Sequence, residues 1–229
     1  VTAPPFVPTD LPGLVWWLAA DFGTYQDTAR STPAVADGAP VQGWTDRSPA
    51  ARHVIQPNAS QALTLKLAIQ NGRSILRLDG VDDALTLGSL GTVPGAAFTV
   101  FVVHKTSGDG VFMAPFSGNG QVRIGQGGAN ALSLYDGSNN PQSLTIPTAR
   151  TVWSLAEYQT GTPPHFWAKG VNLDNGGVIG SIVMDTLAQI AGGSLPLGGD
   201  FGEIVVYNTT LNSTDRVKVE TYLINPWAL

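Results

Sequence analysis

Apolar residues in this chain come in short runs, not in helical stripes. From Leu14 onward these runs are about four to eight residues long, each bounded by Gly, Asn, Asp, Ser or Pro, the pattern of strands between turns. In Ala62-Leu63-Thr64-Leu65-Lys66-Leu67 the leucines share one face, with Thr and Lys on the other. Ser74-Ile75-Leu76-Arg77-Leu78 and Ala84-Leu85-Thr86-Leu87 alternate in the same way and pair with it. Phe98-Thr99-Val100-Phe101-Val102-Val103 and Ile204-Val205-Val206-Tyr207 are more continuously apolar and read as strands buried on both faces. Further strands are expected near 14–19, 111–116, 121–125, 131–135, 142–146, 151–158, 165–169 and 178–184. About a dozen short strands with scarcely any helical period predict an all-β fold, a two-sheet antiparallel jelly-roll sandwich. No fixed-period repeat points to a propeller or solenoid.

One segment has helical character, Leu211 to Leu223. Asn212 is the expected N-cap, and Asp215 three residues on completes a capping box and puts negative charge in the first turn. Pro226 is expected to stop this short C-terminal helix, with Trp227 and Leu229 folding back as an apolar plug. At the other end, Pro4, Pro5, Pro8 and Pro12 predict an extended, solvated connector over residues 1–13. Residues 14–229 then form the domain. The connector, beginning at Val1, is expected to continue from something longer.

Composition narrows the function classes. Hydrophobic residues make up 43% and charged residues 13%, which excludes a disordered chain and disfavours a helical bundle with a charged surface. Twelve basic against 17 acidic residues, without a basic cluster, argue against nucleic acid as a partner. Cysteine is absent, which removes disulfides, thiolate metal sites and a cysteine nucleophile. No apolar run approaches the ~20 residues of a membrane span, so membrane insertion is not expected.

An ordered set of motifs carries a family resemblance. Leu11-Pro12-Gly13-Leu14, Gln26-Asp27, Thr32-Pro33, Asp37-Gly38 and Pro40-Val41 come first. Trp44-Thr45-Asp46-Arg47-Ser48, Asn71-Gly72-Arg73-Ser74 and Arg77-Leu78-Asp79-Gly80-Val81-Asp82-Asp83 follow. Gly202-Glu203-Ile204-Val205-Val206-Tyr207-Asn208 and Val219-Glu220-Thr221-Tyr222-Leu223 close the set. Residues 6–229 resemble the concanavalin A-like (LamG-like) jelly-roll superfamily of lectins and glucanases. The resemblance implies a many-stranded sandwich of the kind found in bacterial surface proteins and in bacteriophage tail, fibre or capsid-decorating proteins. This chain departs from the usual pattern at three places. Ala19 stands where Asp is common, Ser48-Pro49-Ala50-Ala51-Arg52 replaces a Ser-Gly-Asn-Gly turn, and Ala84 stands where an aromatic follows the paired aspartates.

Catalytic signatures are missing. Glucanases on this fold carry a Glu-x-Asp-x-x-Glu triplet on one strand, with the reacting pair ~5–5.5 Å apart. Here Glu occurs only at Glu157, Glu203 and Glu220, the last on the helix; no such triplet is present, and Glu157 has no carboxylate two or four residues away. No Gly-x-Ser-x-Gly elbow or His-Glu-x-x-His motif occurs, and His53, His104 and His165 are scattered. The expectation is no enzyme activity and no catalytic residue.

Two sets of residues are candidates for binding. Asp79, Asp82 and Asp83 crowd one turn, and hard carboxylate oxygens suit calcium, to which Asp200 and Glu203 could add ligands. The competing reading is a turn bonding its own backbone, with Gly80 supplying a positive φ. No cofactor is required on either reading, calcium being the one candidate. The second set is Tyr135, Asp136, Asn139 and Asn140 with Tyr158, His165 and Trp167, rings and amides of the kind that stack on and hydrogen-bond a sugar. The leading expectation is a non-catalytic structural or recognition module on a virion or cell surface, extracellular in setting. Its partners would be other virion or surface proteins, a second copy in a homo-oligomer, or cell-surface glycans. The alternatives are a lectin-like carbohydrate-binding module and, behind it, a glycan-degrading enzyme.

Overall fold

The structure is a computed structural model describing residues 4–86, 97–107, 110–114, 121–124, 131–135, 141–145, 151–159, 165–168, 170–172, 186–187 and 196–229. In chain order the strands are β1 (Leu14–Ala19), β2 (Thr24–Tyr25), β3 (Pro40–Val41), β4 (Gly43–Trp44), β5 (Val54–Ile55), β6 (Leu63–Gln70), β7 (Arg73–Asp79), β8 (Leu85–Thr86) and β9 (Thr99–Thr106). They continue with β10 (Gly110–Ala114), β11 (Gln121–Ile124), β12 (Ala131–Tyr135), β13 (Pro141–Thr145), β14 (Ser154–Gln159), β15 (His165–Ala168), β16 (Val171–Asn172), β17 (Thr186–Leu187) and β18 (Gly198–Tyr207). Helix α1 (Ser213–Trp227) follows.

All described pairings are antiparallel and build two sheets. The first runs β16-β15-β14-β9-β18-β7-β6-β3, with β1 also on β18. The second runs β13-β12-β11-β10-β17-β8-β5-β4-β2. The chain is therefore an all-β two-sheet sandwich with a C-terminal helix. Each expected strand has a counterpart except that near 178–184, which lies outside the described residues. The two-residue strands β2–β5, β16 and β17 were not expected, because a pair of residues is too short to show alternation.

Strand β18 is the spine of the first sheet. One edge pairs with β9 from Gly199↔Thr106 to Tyr207↔Thr99, and the other pairs first with β7 and then with β1. The register slips at Gly202, where an added Cβ would come within 2.9 Å of both the Trp227 ring and Val103. Only glycine lets the helix end approach this closely.

Side-chain alternation gives the first sheet two unlike faces. Its inner face meets the second sheet in a core containing Trp16, Leu18, Trp44, Leu76, Tyr158, Phe166, Phe201 and Ile204. Its outer face buries Trp17, Ile75, Phe101, Val103, Leu155 and Val205 beneath Val219, Leu223 and Trp227 of α1.

The helix begins as its sequence dictates. The Asn212 side chain accepts from the Asp215 N–H at 2.9 Å, and its amide donates to the Asp215 carboxylate at 2.8 Å. The reciprocal bond thus runs between side chains, not back to the cap backbone. Pro226 does not stop the helix but sits in its last turn, and Ala228 at φ 51 closes the end. One missing N–H is tolerated there because Trp227, wholly buried, holds the last turn down.

The N-terminal arm also departs from expectation. From Phe6 onward it is docked: Pro8–Asp10 forms one 3-10 turn, Pro8 and Leu11 are buried, and Phe6 meets Tyr222 edge-on at 6.4 Å. The Tyr207 hydroxyl donates to the Pro8 carbonyl at 2.9 Å. Proline stiffness keeps the arm extended but does not prevent apolar neighbours from seating it.

Candidate functional site

The outer face of the first sheet is divided between a helix-covered part and an open part. In the open part Arg77, Asp200 and Lys105 stand in register across β7, β18 and β9, with Asp200 opposite both cations. Their sequence neighbours Leu76, Leu78 and Phe201 point into the inter-sheet core, so alternation turns this row outward. Arg77 grips Asp200 with two bonds, Nε to Oδ1 at 2.7 Å and Nη2 to Oδ2 at 3.1 Å. That pairing raises the Arg77 pKa. Asp200 is buried, while the Arg77 side chain is about half exposed. Lys105 has no ion pair among the described residues, and both Asp200 oxygens are bonded by Arg77.

Around this row Thr106, Ser107 and Thr151 help to line a concavity of about 260 Å³. Gly199 lies in it at φ 145, where an added Cβ would collide with the Lys105 carbonyl oxygen. Beneath it His104 is buried, and burial holds it neutral, with a pKa of about 3.

The acidic turn borders the same region, since Asp79 pairs with Gly198. Asp79 Oδ1 accepts the N–H groups of Val81 (2.7 Å) and Asp82 (3.3 Å), and Asp83 Oδ2 accepts that of Asp79 (2.9 Å). Burial, aided by the charges of Asp79 and Asp82, raises the Asp83 pKa to about 6. The carboxylate oxygens of the three aspartates lie within 4.8 Å of one another. Their chemistry suits calcium, but three donors are about half the ~6–8 it needs, and two of the three already serve the turn. Among the described residues the turn supplies three carboxylate donors toward such a site. Asp200 and Glu203 do not complete it, being bound respectively to Arg77 and to the helix seat.

Of the expected sugar platform, the two rings Tyr158 and Trp167 are buried. Tyr158 is wholly buried in the inter-sheet core against Phe166, with ring centroids 5.7 Å apart, and offers no face to a ligand. Trp167 is buried on the outer side, His165 stacking on one side at 5.5 Å and the Arg216 guanidinium lying 4.2 Å from its centroid. Both rings belong to the first sheet. Tyr135 ends β12 in the second, opposite Gln121 and Pro141. Asp136, Asn139 and Asn140 lie outside the described residues.

Beneath α1 the structure assembles two carboxylate clusters that the sequence did not reveal. Glu203 accepts from Trp17 Nε1 (2.7 Å), the Tyr222 hydroxyl (2.8 Å) and Trp227 Nε1 (2.9 Å). Among the described residues Glu157 accepts from Arg216 Nη1 at 3.2 Å and from the Gly170 N–H at 3.4 Å. Its burial raises the carboxyl to about 7, against the pull of Arg216. Arg216 also pairs with Glu220 one turn along the helix, so one guanidinium joins two carboxylates. These acids are covered by the helix and do not face each other across an open groove.

Asp46, from the Trp44–Ser48 motif, has a structural role. It accepts the N–H groups of Trp17, Ser48 and Arg52 at 2.7–2.8 Å and the Ser48 hydroxyl at 2.7 Å. A separate apolar groove of about 500 Å³ runs between the arm at Phe6 and Val7 and the helix at Val217, Thr221 and Tyr222. It lacks the convergent polar groups of the Arg77–Asp200–Lys105 dent.

No family model matches the chain, and no curated protein matches it. Among solved structures it is similar to the binding domain of Paraclostridial Mosquitocidal Protein 1, with TM-score 0.63 and 9% identity over 96% of this chain and 56% of that one. It is similar to a GH54 α-L-arabinofuranosidase, with TM-score 0.59 and 12% identity over 82% of this chain and 51% of that one. It is also similar to the ligand binding domain of Botulinum neurotoxin serotype D in complex with N-acetylneuraminic acid, with TM-score 0.55 and 10% identity over 93% and 51%. The chain spans about half the length of each of these, and at such identities the likeness is one of β-sandwich fold.

Proposed function

We propose that this chain is a non-catalytic recognition module that binds a saccharide in the concavity at Arg77, Asp200 and Lys105. The observation that carries the reading is the row itself: a buried carboxylate fixed by a bidentate arginine, beside a lysine, with Ser107 and Thr151 at the edge of the dent. Sugar hydroxyls both donate and accept, and such a row offers both functions in fixed positions. The dent is smaller than the ~300–1,000 Å³ of a typical small-molecule pocket, which suits a short piece of a longer glycan. Retaining hydrolysis needs two carboxylates flanking the bond at ~5–5.5 Å, whereas Asp200 is the one carboxylate among the concavity's lining residues.

The fold neighbours lend support, since two are binding domains and one is complexed with N-acetylneuraminic acid. The concanavalin A-like resemblance adds the setting, a virion appendage or bacterial surface protein with cell-surface glycans within reach.

A glycan array probed with wild type, Asp200→Asn and Arg77→Ala tests this. Binding of a defined glycan set that falls at least about tenfold in Asp200→Asn is expected. A flat array for the wild type overturns the reading. Binding abolished by EDTA moves the site to the Asp79–Asp83 turn. Release of reducing ends from polysaccharide, lost in Glu157→Gln, overturns the non-catalytic assignment.

A further inference from the structure

The charge of the same concavity narrows its ligand, an inference that rests on the saccharide reading above. The protein has net charge −5 and only 12 basic residues, yet two of them, Arg77 and Lys105, flank a single aspartate in this dent. Both oxygens of Asp200 are bonded by Arg77. Lys105 stands directly opposite Asp200 in the ladder, and its ammonium makes no ion pair within 4 Å among the described residues. None of the nearby acids Asp37, Asp79, Asp82 and Asp83 is ion-paired with it. Asp37 accepts from Lys66 Nζ at 2.5 Å and from the Leu67 N–H at 3.0 Å, and Asp79 caps its own turn. The lining groups therefore sum to one positive charge, located on the most adaptable side chain in the dent.

We propose that the concavity selects an anionic saccharide, with Lys105 as the specificity-determining residue for a carboxylate or sulfate group on the sugar. Arg77 and Asp200 hold the neighbouring hydroxyls. The acid group of the ligand takes the place beside Lys105 that a second carboxylate of the protein would otherwise fill. A neutral sugar would leave that ammonium unmatched, so discrimination comes from this one ion pair.

The test is an array of matched probes: lactose against sialyllactose and sulfolactose, and galactan oligomers against galacturonan oligomers. Wild type, Lys105→Gln, Lys105→Arg and Lys218→Gln are compared. Lys218, on the exposed face of α1, controls for the loss of one net charge. Binding restricted to the acidic member of a pair, reduced at least about tenfold in Lys105→Gln but kept in Lys105→Arg and Lys218→Gln, supports the proposal. Equal binding of neutral and acidic partners, or an equal fall in the two glutamine variants, overturns it and leaves the saccharide reading standing. A wild-type array without any bound glycan overturns both.

Discussion

Glu203 and Glu157 lie on the same face of the same sheet, both wholly buried, both under α1 and both close to an arginine. Their surroundings still differ in kind. Glu203 receives three short bonds from two indoles and a phenol, so β1 and the helix are tied to β18 through one carboxylate. Glu157 receives one guanidinium bond and one long amide bond, and its carboxyl titrates near neutrality. Burial alone does not fix the character of an acid; the number of donors aimed at it does. The first cluster fastens the helix through three hydrogen bonds, whereas Glu157 loses or gains a proton in the physiological range.

Removing the stronger cluster should have the largest effect. Glu203→Ala leaves two indole N–H groups and a phenol without their acceptor under the helix, and is expected to cost about 4 kcal/mol or more in urea unfolding. Near-UV circular dichroism should lose the Trp17 and Trp227 signal as the helix detaches. If Glu203→Ala unfolds like wild type, the seat is not the fastening described here.

The weaker cluster predicts a pH dependence. Glu157 has a folded pKa of about 7 against an ordinary value of 4.5, so between these values the native state binds more protons than the unfolded chain. Stability should therefore be full below about pH 4.5, fall as pH rises through 7, and level off above it. The difference is on the order of 2–3 kcal/mol. Urea unfolding of wild type at pH 5 and pH 8 should show the decline, and Glu157→Gln should flatten most of it. Asp83, raised to about 6 and so shifted less than Glu157, contributes a smaller decline of the same sign. A wild type equally stable at both pH values would contradict the contrast between the two glutamates.

A third buried carboxylate, Asp46, supplies the smallest test. It holds the 46–52 turn through backbone N–H groups, and Ala51 in that turn adopts φ 50, in the left-handed region that favours glycine. Ala51→Gly should stabilise the protein by up to about 1 kcal/mol in thermal unfolding, since the left-handed conformation costs a Cβ roughly that much. Destabilisation would mean that Asp46 tolerates no change in the loop it organises.

Much of the architecture was legible because strand alternation is a local signal. Leu63 and Leu65 in, Thr64 and Lys66 out, is the same statement in sequence and in structure. The helix cap at Asn212 was equally local. The candidate sugar site was not legible, because an aromatic beside a loop has the same sequence signature whether its ring faces solvent or, like Trp167, is buried against His165 and Arg216. Arg77, Lys105 and Asp200 each appeared as one polar residue interrupting an apolar strand, with nothing to join positions 77, 105 and 200.

By itself, then, the sequence determined the class of fold, the order of most strands, the helix start and the turn at Asp79–Asp83, all consequences of contacts between residues a few positions apart. Only the tertiary structure decided which carboxylates share partners, which tryptophans are covered, and that three charges from three distant strands form one row. Those outcomes depend on sheet order and register, which are settled by packing between segments as far apart as β7 and β18, and a pattern read along the chain does not contain them.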